Sequence, residues 1–191
     1  MTALDRVSVG FEAGRFTSIM GPSGSGKSTL LHCLAGLERP TSGSVLIGGT
    51  DLARLSDGQL TTLRRDRLGF VFQAFNLIPT LTAEENITLG ERIGGPRVDR
   101  QWMAHLVRVL GLGDRLGYRP SEMSGGQQQR VAIARALAHR PAVVFGDVSG
   151  DRVDARAGVP LQGADGGVTG AGQQHRGGGA VLGVVCQGTV T

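Results

Sequence analysis

The chain is poor in several residue types that mark particular classes of protein. Among its 191 residues are only two cysteines, Cys33 and Cys186, which lie far apart and in no metal-binding or redox spacing. We therefore expect no disulfide, and a reducing cytosol as the compartment. No apolar run approaches the roughly 18 residues of a membrane-spanning helix, and no charged and then apolar leader opens the chain. We expect a protein that does not cross a membrane by itself.

Lysine is almost absent, so the basic character comes from arginine. Of 20 basic residues only Lys27 is a lysine, the net charge is +4, and 40% of the residues are hydrophobic. The arginines are scattered among acids, and even the cluster of Arg64, Arg65 and Arg67 is interrupted by Asp66. This spacing is typical of a solvated surface, so no nucleic-acid partner is expected. Length and composition fit one globular domain of ordinary size.

The single lysine lies in the most informative stretch of the sequence. That stretch fits G-x-x-x-x-G-K-[ST], the loop that cradles phosphates in nucleoside-triphosphate enzymes. Its residues are Gly21, Pro22, Ser23, Gly24, Ser25, Gly26, Lys27, Ser28 and Thr29. Glycines let backbone N–H groups turn onto phosphates, and the following helix adds its positive N-terminal end. Lys27 would reach the terminal phosphates, and the Ser28 hydroxyl would bind Mg²⁺. The alternative is a flexible Gly/Ser turn before a helix.

Short apolar runs alternate with helical periods along the first three-quarters of the chain. Strands are predicted over 7–11, 16–20, 45–47, 68–72 and 142–145. Helices are predicted from Ser56 to Asp66, over 82–110 with a break at 94–96, and over 127–140. Gln73 follows one strand, and Asp147 closes another. The alternation predicts an α/β core with the central helical stretch as an insertion.

A second anion-binding pattern precedes the last predicted helix. It consists of Ser124, Gly125, Gly126 and Gln127, followed by two glutamines and an arginine. A serine hydroxyl and exposed backbone N–H groups at a helix N-terminus form an anion site. An N-capping serine with two glycines is also common without any ligand, so this pattern alone leaves both interpretations open.

Taken together, these patterns resemble the ATP-binding subunits of ABC transporters, whose signature sequence is L-S-G-G-Q. Met123 replaces the leading leucine, which conserves volume. The segments 37–43, 71–77 and 131–137 look like the lipoprotein-releasing and macrolide-exporting branch of that family. The resemblance covers about residues 4–147. It implies a P-loop ABC-type ATPase core over 1–147, with a helical subdomain at about 74–140.

The resemblance also implies roles for individual residues. Gln73 matches the glutamine that touches Mg²⁺ and the attacking water, and Asp147 matches the aspartate that holds Mg²⁺ together with Ser28. Ser124, Gly125, Gly126 and Gln127 would contact ATP bound in a second subunit. The implied cofactors are ATP and Mg²⁺. The implied partners are a second ATP-binding subunit, as a homodimer or a pair, and a separate transmembrane permease at the inner face of the cell membrane.

The pattern fails after Asp147. Where the family continues with Glu-Pro-Thr, this chain has Val148, Ser149 and Gly150. Valine cannot orient water, and loss of a general base typically costs roughly 10²–10⁴ in rate. Asp154 falls where the family's D-loop places its aspartate, but no histidine lies near Val181, where a switch histidine is expected.

Both ends of the chain differ from the family. No tyrosine precedes the phosphate loop, so the aromatic residue that stacks on adenine is missing and the N-terminus looks truncated. From 150 to 191 glycine supplies 12 of 42 residues. Such a tail loses much backbone entropy on ordering and has little apolar surface to offset it. We expect residues 148–191 to be irregular and poorly ordered, with 181–185 the only candidate strand.

Three functions remain open from the sequence. The first is a working energy-coupling ATPase, and the second is a subunit that binds ATP and gates an interaction without hydrolysis. The third is a product whose true C-terminus was replaced by a frameshift near codons 147–158, which the abrupt change in composition suggests. For the chain as written, we expect weakened Mg-ATP binding and hydrolysis that is very slow or absent.

Overall fold

The computed structural model describes residues 2–19, 21–22, 24–149 and 180–186. The strands are β1 (Phe16–Ile19), β2 (Leu46–Ile47), β3 (Thr50–Asp51), β4 (Leu68–Phe72), β5 (Val143–Ser149) and β6 (Ala180–Cys186). The helices are α1 (Lys27–Leu34), α2 (Asp57–Arg67), α3 (Ala83–Ile87), α4 (Leu89–Arg92), α5 (Arg100–Val109) and α6 (Gly125–Leu137). Short 3₁₀ turns lie at Leu52–Arg54, Gly113–Arg115 and Pro120–Glu122.

The main sheet has four strands in the order β1-β6-β5-β4. Strands β4 and β5 are parallel, whereas β6 runs antiparallel to both of its neighbours. It follows that β1, β4 and β5 all point the same way, as expected for strands linked by helical crossovers. The candidate strand at 181–185 is confirmed as β6. The prediction of poor order for the rest of the tail lies outside the described residues.

A core beneath the sheet fixes α1 and α2 against the strands. Buried side chains from these helices meet buried side chains from β2, β4 and β5, and the members are Phe11, Leu31, Leu34, Ala35, Val45, Ile47, Leu52, Leu60, Leu63, Leu68, Val143 and Phe145. Helix α2 begins where it was predicted, because Ser56 and Gln59 form a reciprocal capping box at its N-terminus. Burial of these apolar surfaces, at roughly 25 cal/mol per Å², is the main stabilising contribution to this half of the chain.

Residues 74–140 contain α3 to α6 and build a second buried cluster of their own. Its members are Ala83, Ile87, Leu110, Leu112, Met123, Val131, Ala134 and Ala138. The helical stretch predicted over 82–110 is present, with the predicted break before Arg100 and a further interruption at Thr88. Helix α6 begins two residues earlier than predicted, because Ser124 caps it directly.

Two strand predictions need correction. Residues 7–10 form no strand, since Val7 and Val9 are exposed and only Phe11 of this stretch is buried. Alternation there predicted a half-buried face, but the sheet offers that face no partner among the described residues. Strand β5 also runs beyond Asp147, because its ladder with β6 continues to Ser149 opposite Ala180.

Candidate functional site

The topology brings three sequence-predicted segments to one edge of the sheet. Ile19 of β1 and Asp147 of β5 both lie opposite Leu182 of β6, and Phe72 of β4 lies opposite Asp147. Neighbouring strands are about 4.8 Å apart, so the backbone of Asp147 lies about 10 Å from that of Ile19. Carboxyl ends of parallel strands at one edge are where α/β sheets bind ligands.

The loop after β1 has the backbone of an anion cradle. Gly24 and Gly26 have left-handed φ values of 78° and 83°, and Gly26 caps α1 without any side-chain hydrogen bond. Helices α2, α3, α5 and α6 are instead capped by side chains. The first N–H groups of α1 therefore have no intrahelical partner and face outward with the positive end of the helix dipole. Ser23 of this loop lies outside the described residues.

Lys27 lies folded into the loop that precedes it. Its Nζ donates to Gly21 O at 2.8 Å, to Pro22 O at 2.6 Å and to Ser25 Oγ at 3.1 Å. These acceptors are neutral dipoles, so a phosphate placed in the cradle would compete favourably for the ammonium. The geometry keeps the only lysine of the chain within reach of any anion bound there.

The N-terminal segment contacts the same loop, which the sequence did not indicate. A Cβ placed on Gly26 would lie 2.5 Å from Ala3 O and 3.1 Å from Leu4 Cδ2. Glycine is thus required at this position both for its left-handed φ and for the close approach of another backbone. No motif in residues 2–4 announces this contact, since it depends on tertiary packing alone.

Gln73 occupies a tight turn directly after β4 and is exposed. The turn is closed by a hydrogen bond from Phe75 N to Phe72 O at 2.9 Å. Farther along, the buried side chain of Asn86 bonds both backbone groups of Ile78 and the carbonyls of Leu81 and Thr82. Gln73 is therefore presented to solvent from a segment that is fixed on its C-terminal side.

Ser124 caps helix α6, as expected for an N-capping serine. Its Oγ accepts from Gln127 N at 3.3 Å, while Gln127 Oε1 accepts from Ser124 N at 2.8 Å. Gly125 and Gly126 are exposed, and a Cβ on either would meet nothing within 4 Å. Packing within this chain therefore does not require glycine at these positions. Among the described residues no hydrogen bond joins this motif to the phosphate loop.

The three residues predicted as metal ligands carry the kinds of oxygen that a hard divalent cation accepts. Ser28 offers a hydroxyl, Gln73 an amide oxygen and Asp147 a carboxylate, and Mg²⁺ prefers such oxygen ligands together with phosphates. Within the described ranges no cluster of three or more histidine, cysteine, aspartate or glutamate residues could hold a metal by itself. Asp154 lies outside the described residues.

Neither aromatic residue before the loop is placed to stack on a base there. Phe11 is buried in the core, and Phe16 lies at the start of β1, at the end of the strand away from the loop. Tyr118 belongs to the helical part, where Arg115 covers its ring at 4.9 Å. No helix in the described part of the chain is long and apolar enough to span a bilayer.

Comparison with known proteins agrees with this geometry. Residues 4–147 match the family profile described as ABC transporter. An ABC transporter ATP-binding protein of Thermotoga maritima is 49% identical over 161 residues, covering 83% of this chain and 69% of the relative. Two further relatives match the predicted branch. They are the lipoprotein-releasing system ATP-binding protein LolD 1 of Chlorobium chlorochromatii, at 43% identity, and the macrolide export ATP-binding/permease protein MacB of Brucella melitensis, at 46%.

The chain spans only part of these relatives. It covers 65% of the Chlorobium protein and 24% of the Brucella protein, while the matches take 82% and 81% of this chain. A solved structure described as a dimeric post-hydrolysis state of the ATP-binding cassette MJ0796, bound to ADP and Pi, superposes with a TM-score of 0.65. That match has 44% sequence identity and covers 76% of this chain and 65% of the other. The predicted mixed α/β P-loop fold is confirmed.

Proposed function

Because the chain belongs to the ABC transporter ATP-binding family, we propose that it binds Mg-ATP at Gly21–Thr29 and serves a separate membrane permease. The observation that carries the proposal is the sheet register, which sets the phosphate loop, Gln73 and Asp147 along one edge. The protein would work peripherally on the inner face of the cell membrane, with no nucleic acid involved. Proteins of this family hydrolyse ATP in general.

Binding of the triphosphate follows from the chain's own groups. The free N–H groups at the start of α1 would bind phosphate oxygens, and the Lys27 ammonium would leave its neutral acceptors for the terminal phosphates. Ser28, Gln73 and Asp147 would hold Mg²⁺, which supplies charge neutralisation on the phosphates when bound. We expect the affinity to come mainly from the triphosphate, because N–H groups at a helix N-terminus and an ammonium group are suited to phosphate oxygens.

A second subunit is proposed on the evidence of Gly125 and Gly126. Their exposed backbone lies at the N-terminus of a 13-residue helix and has open space where a side chain would be. That arrangement leaves room for phosphate oxygens carried by another molecule. A second copy, or a related ATP-binding subunit, would then enclose the nucleotide between its own phosphate loop and this motif. The solved cassette that this chain resembles is described as dimeric.

The segment after Gln73 is the surface that we propose for the permease. Two large apolar side chains are exposed here, Ile78 at 36% and Tyr118 at 40%. Tyr118 lies next to the start of α3, because its carbonyl accepts a hydrogen bond from Ala83 N at 2.8 Å. Exposed apolar side chains on either side of a fixed segment are suited to a partner that supplies its own apolar surface. This position would let the permease influence Gln73 directly.

Hydrolysis by this chain is proposed to be very slow or absent. The position that follows Asp147 is Val148, whose side chain can neither accept a proton nor orient water. This favours the second candidate function, a subunit that binds ATP and pairs in response to it without releasing phosphate. A frameshifted product remains the alternative. Translation of all three frames across codons 140–191 tests it, because a frame that restores Glu-Pro-Thr after Asp147 would establish the frameshift.

The direct test compares nucleotide binding by the full chain and two variants. Calorimetric titration with Mg-ATP should give saturable binding to the wild type and binding weaker by about 10- to 100-fold for Lys27→Ala. Arg108→Ala is the matched control, since Arg108 is exposed on α5 and bonds only His105 among the described residues. Equal binding by wild type and Lys27→Ala would refute the site. Binding without phosphate release would support the gating role over the working ATPase.

A further inference from the structure

One arginine of α6 grips the turn that carries Gln73. Arg135 Nη1 donates to Asn76 O at 2.6 Å, and its Nη2 donates to Phe75 O at 2.7 Å. The partners are about 60 positions apart in the chain, so the contact joins the end of β4 to the last helix before β5. Both distances are short for N–H···O bonds, as expected when the donor is charged.

The turn that Arg135 contacts has an unfavourable backbone conformation. Phe75 and Asn76 have φ values of 60° and 47°, a left-handed conformation that is unfavourable for residues with a side chain. Two successive residues in this conformation turn both carbonyls toward Arg135. The planar guanidinium can bridge two neighbouring acceptors at once, whereas a lysine ammonium on its flexible stem is a point charge.

The charge of Arg135 is used on this turn alone within the described part of the chain. No carboxylate there lies within salt-bridge distance of it. Burial lowers the pKa of Arg135 from its ordinary value, but arginine remains protonated at neutral pH. Partial burial removes water from the Arg135 guanidinium, which costs free energy. The two hydrogen bonds to the turn carbonyls offset this cost.

The helix that carries Arg135 is fixed to β4 and ends at the second motif. A Cβ on Gly69 of β4 would clash with Ala136 O, so the C-terminal part of α6 packs directly on that strand. The N-terminal end of the same helix is Gly125, ten residues or about 15 Å away from Arg135. A rigid helix therefore connects the Gln73 turn with the Ser124–Gln127 motif.

We propose that Arg135 is a positioning residue that holds the Phe75–Asn76 turn to α6 and so fixes the orientation of Gln73. The inference rests on the proposed ATP site and deepens it. Without this contact Gln73 keeps its place in sequence but loses its fixed orientation.

The experiment is a double-mutant cycle in the full chain. Arg135→Ala leaves the carbonyls of Phe75 and Asn76 without this donor and can unfold the protein, so the variant used is Arg135→Lys. The dissociation constants of Mg-ATP and Mg-ADP are measured for wild type, Arg135→Lys, Gln73→Ala and the double variant. Arg108→Lys is the matched control, and a thermal melt verifies folding. Loss of one of two charge-assisted bonds is expected to lower the preference for ATP over ADP by about three- to tenfold.

The outcomes separate this inference from the proposed function. If Arg135→Lys lowers the preference in the wild-type background but not in Gln73→Ala, the positioning role is supported. If the preference is unchanged, or falls equally in both backgrounds, Arg135 is merely structural and the inference is overturned. If the wild type binds no Mg-ATP, the proposed function fails first and the inference fails with it.

Discussion

The carboxyl ends of strands β1 and β5 differ in how they assemble a site. At the end of β1 the motif residues follow one another along the chain, and the loop, the glycine cap and Lys27 come together by local geometry. At the end of β5 the residue after Asp147 is Val148, and the neighbouring strand β6 runs antiparallel to β5. We propose that the phosphate cradle is kept although Val148 stands where the family has a glutamate that orients water.

The largest expected effect concerns Val148, on the hydrolytic side of this contrast. Because a carboxylate at this position could orient water, Val148→Glu should raise single-turnover phosphate release by about 10²-fold, the lower end of what a general base contributes. The measurement is phosphate release at saturating Mg-ATP. Val148→Gln introduces an amide with the shape of the glutamate side chain, and because an amide is a poor proton acceptor it should leave the rate unchanged. Equal rates for the two variants would show that more than a base is missing.

On the binding side, Lys27→Ala should weaken Mg-ATP binding by about 10- to 100-fold, since hydrogen bonds to charged groups contribute roughly 1.5–3 kcal/mol. Lys27→Arg keeps the charge but has to fit a larger group beside Gly21, Pro22 and Ser25, so an intermediate loss is expected. Equilibrium dialysis with labelled ATP measures both. Retention of full affinity by Lys27→Ala would contradict the proposal that Lys27 binds the phosphates of ATP.

Gly26 tests whether the cradle depends on the N-terminal segment. Gly26→Ala combines a left-handed φ with a clash against Ala3 O, and it should cost roughly 1–3 kcal/mol of stability. Gly14→Ala is the control, because its φ is also left-handed at 72° but no atom lies within 4 Å. Urea unfolding of both should rank Gly26→Ala as the more damaging. The reverse ranking would mean that Ala3 and Leu4 do not lie on the loop.

Features that depend on local spacing could be predicted from the sequence, whereas contacts between distant segments could not. The loop at Gly21–Thr29 and the capping role of Ser124 could be predicted because their chemistry is local and depends on spacing alone. Arg135 could not, because an arginine in a helix has the same pattern whether it faces solvent or a turn 60 positions away. Residues 7–10 were wrongly predicted as a strand, since alternation cannot reveal whether a partner strand exists.

The direction of β6 was equally beyond prediction. The apolar composition of 181–185 indicated a strand, and β6 is that strand. Its antiparallel insertion between β1 and β5 depends on how the chain returns from Ser149, which no local pattern encodes. The register nevertheless places Asp147 level with Ile19, so the site's edge is formed despite the reversed strand.

The smallest expected effect is a pH dependence at His139, far from the sheet edge. Both ring nitrogens of His139 are buried without a partner among the described residues. Burial lowers the pKa of His139, while the nearby Glu91 and Asp66 carboxylates oppose this. The pKa of His139 in the folded protein therefore lies below its unfolded value of about 6.5. The contribution of neutral His139 to stability is fully present above the unfolded pKa and is lost as the pH falls through the folded pKa.

Urea unfolding at pH 7.5 and pH 5.5 measures this loss. His139→Gln should flatten the change between the two pH values. A pH dependence that is equal in wild type and His139→Gln would assign the effect to other groups.

The central claim is that this chain keeps the binding half of an ABC-type ATP site and lacks the hydrolytic half. It is tested most directly by measuring ATP binding and phosphate release in one sample of the full chain with saturating Mg-ATP. We predict stoichiometric binding that depends on Lys27, with phosphate release too slow to complete one turnover per bound ATP over hours. Repeated turnover by the wild type, or no binding at all, would contradict the account.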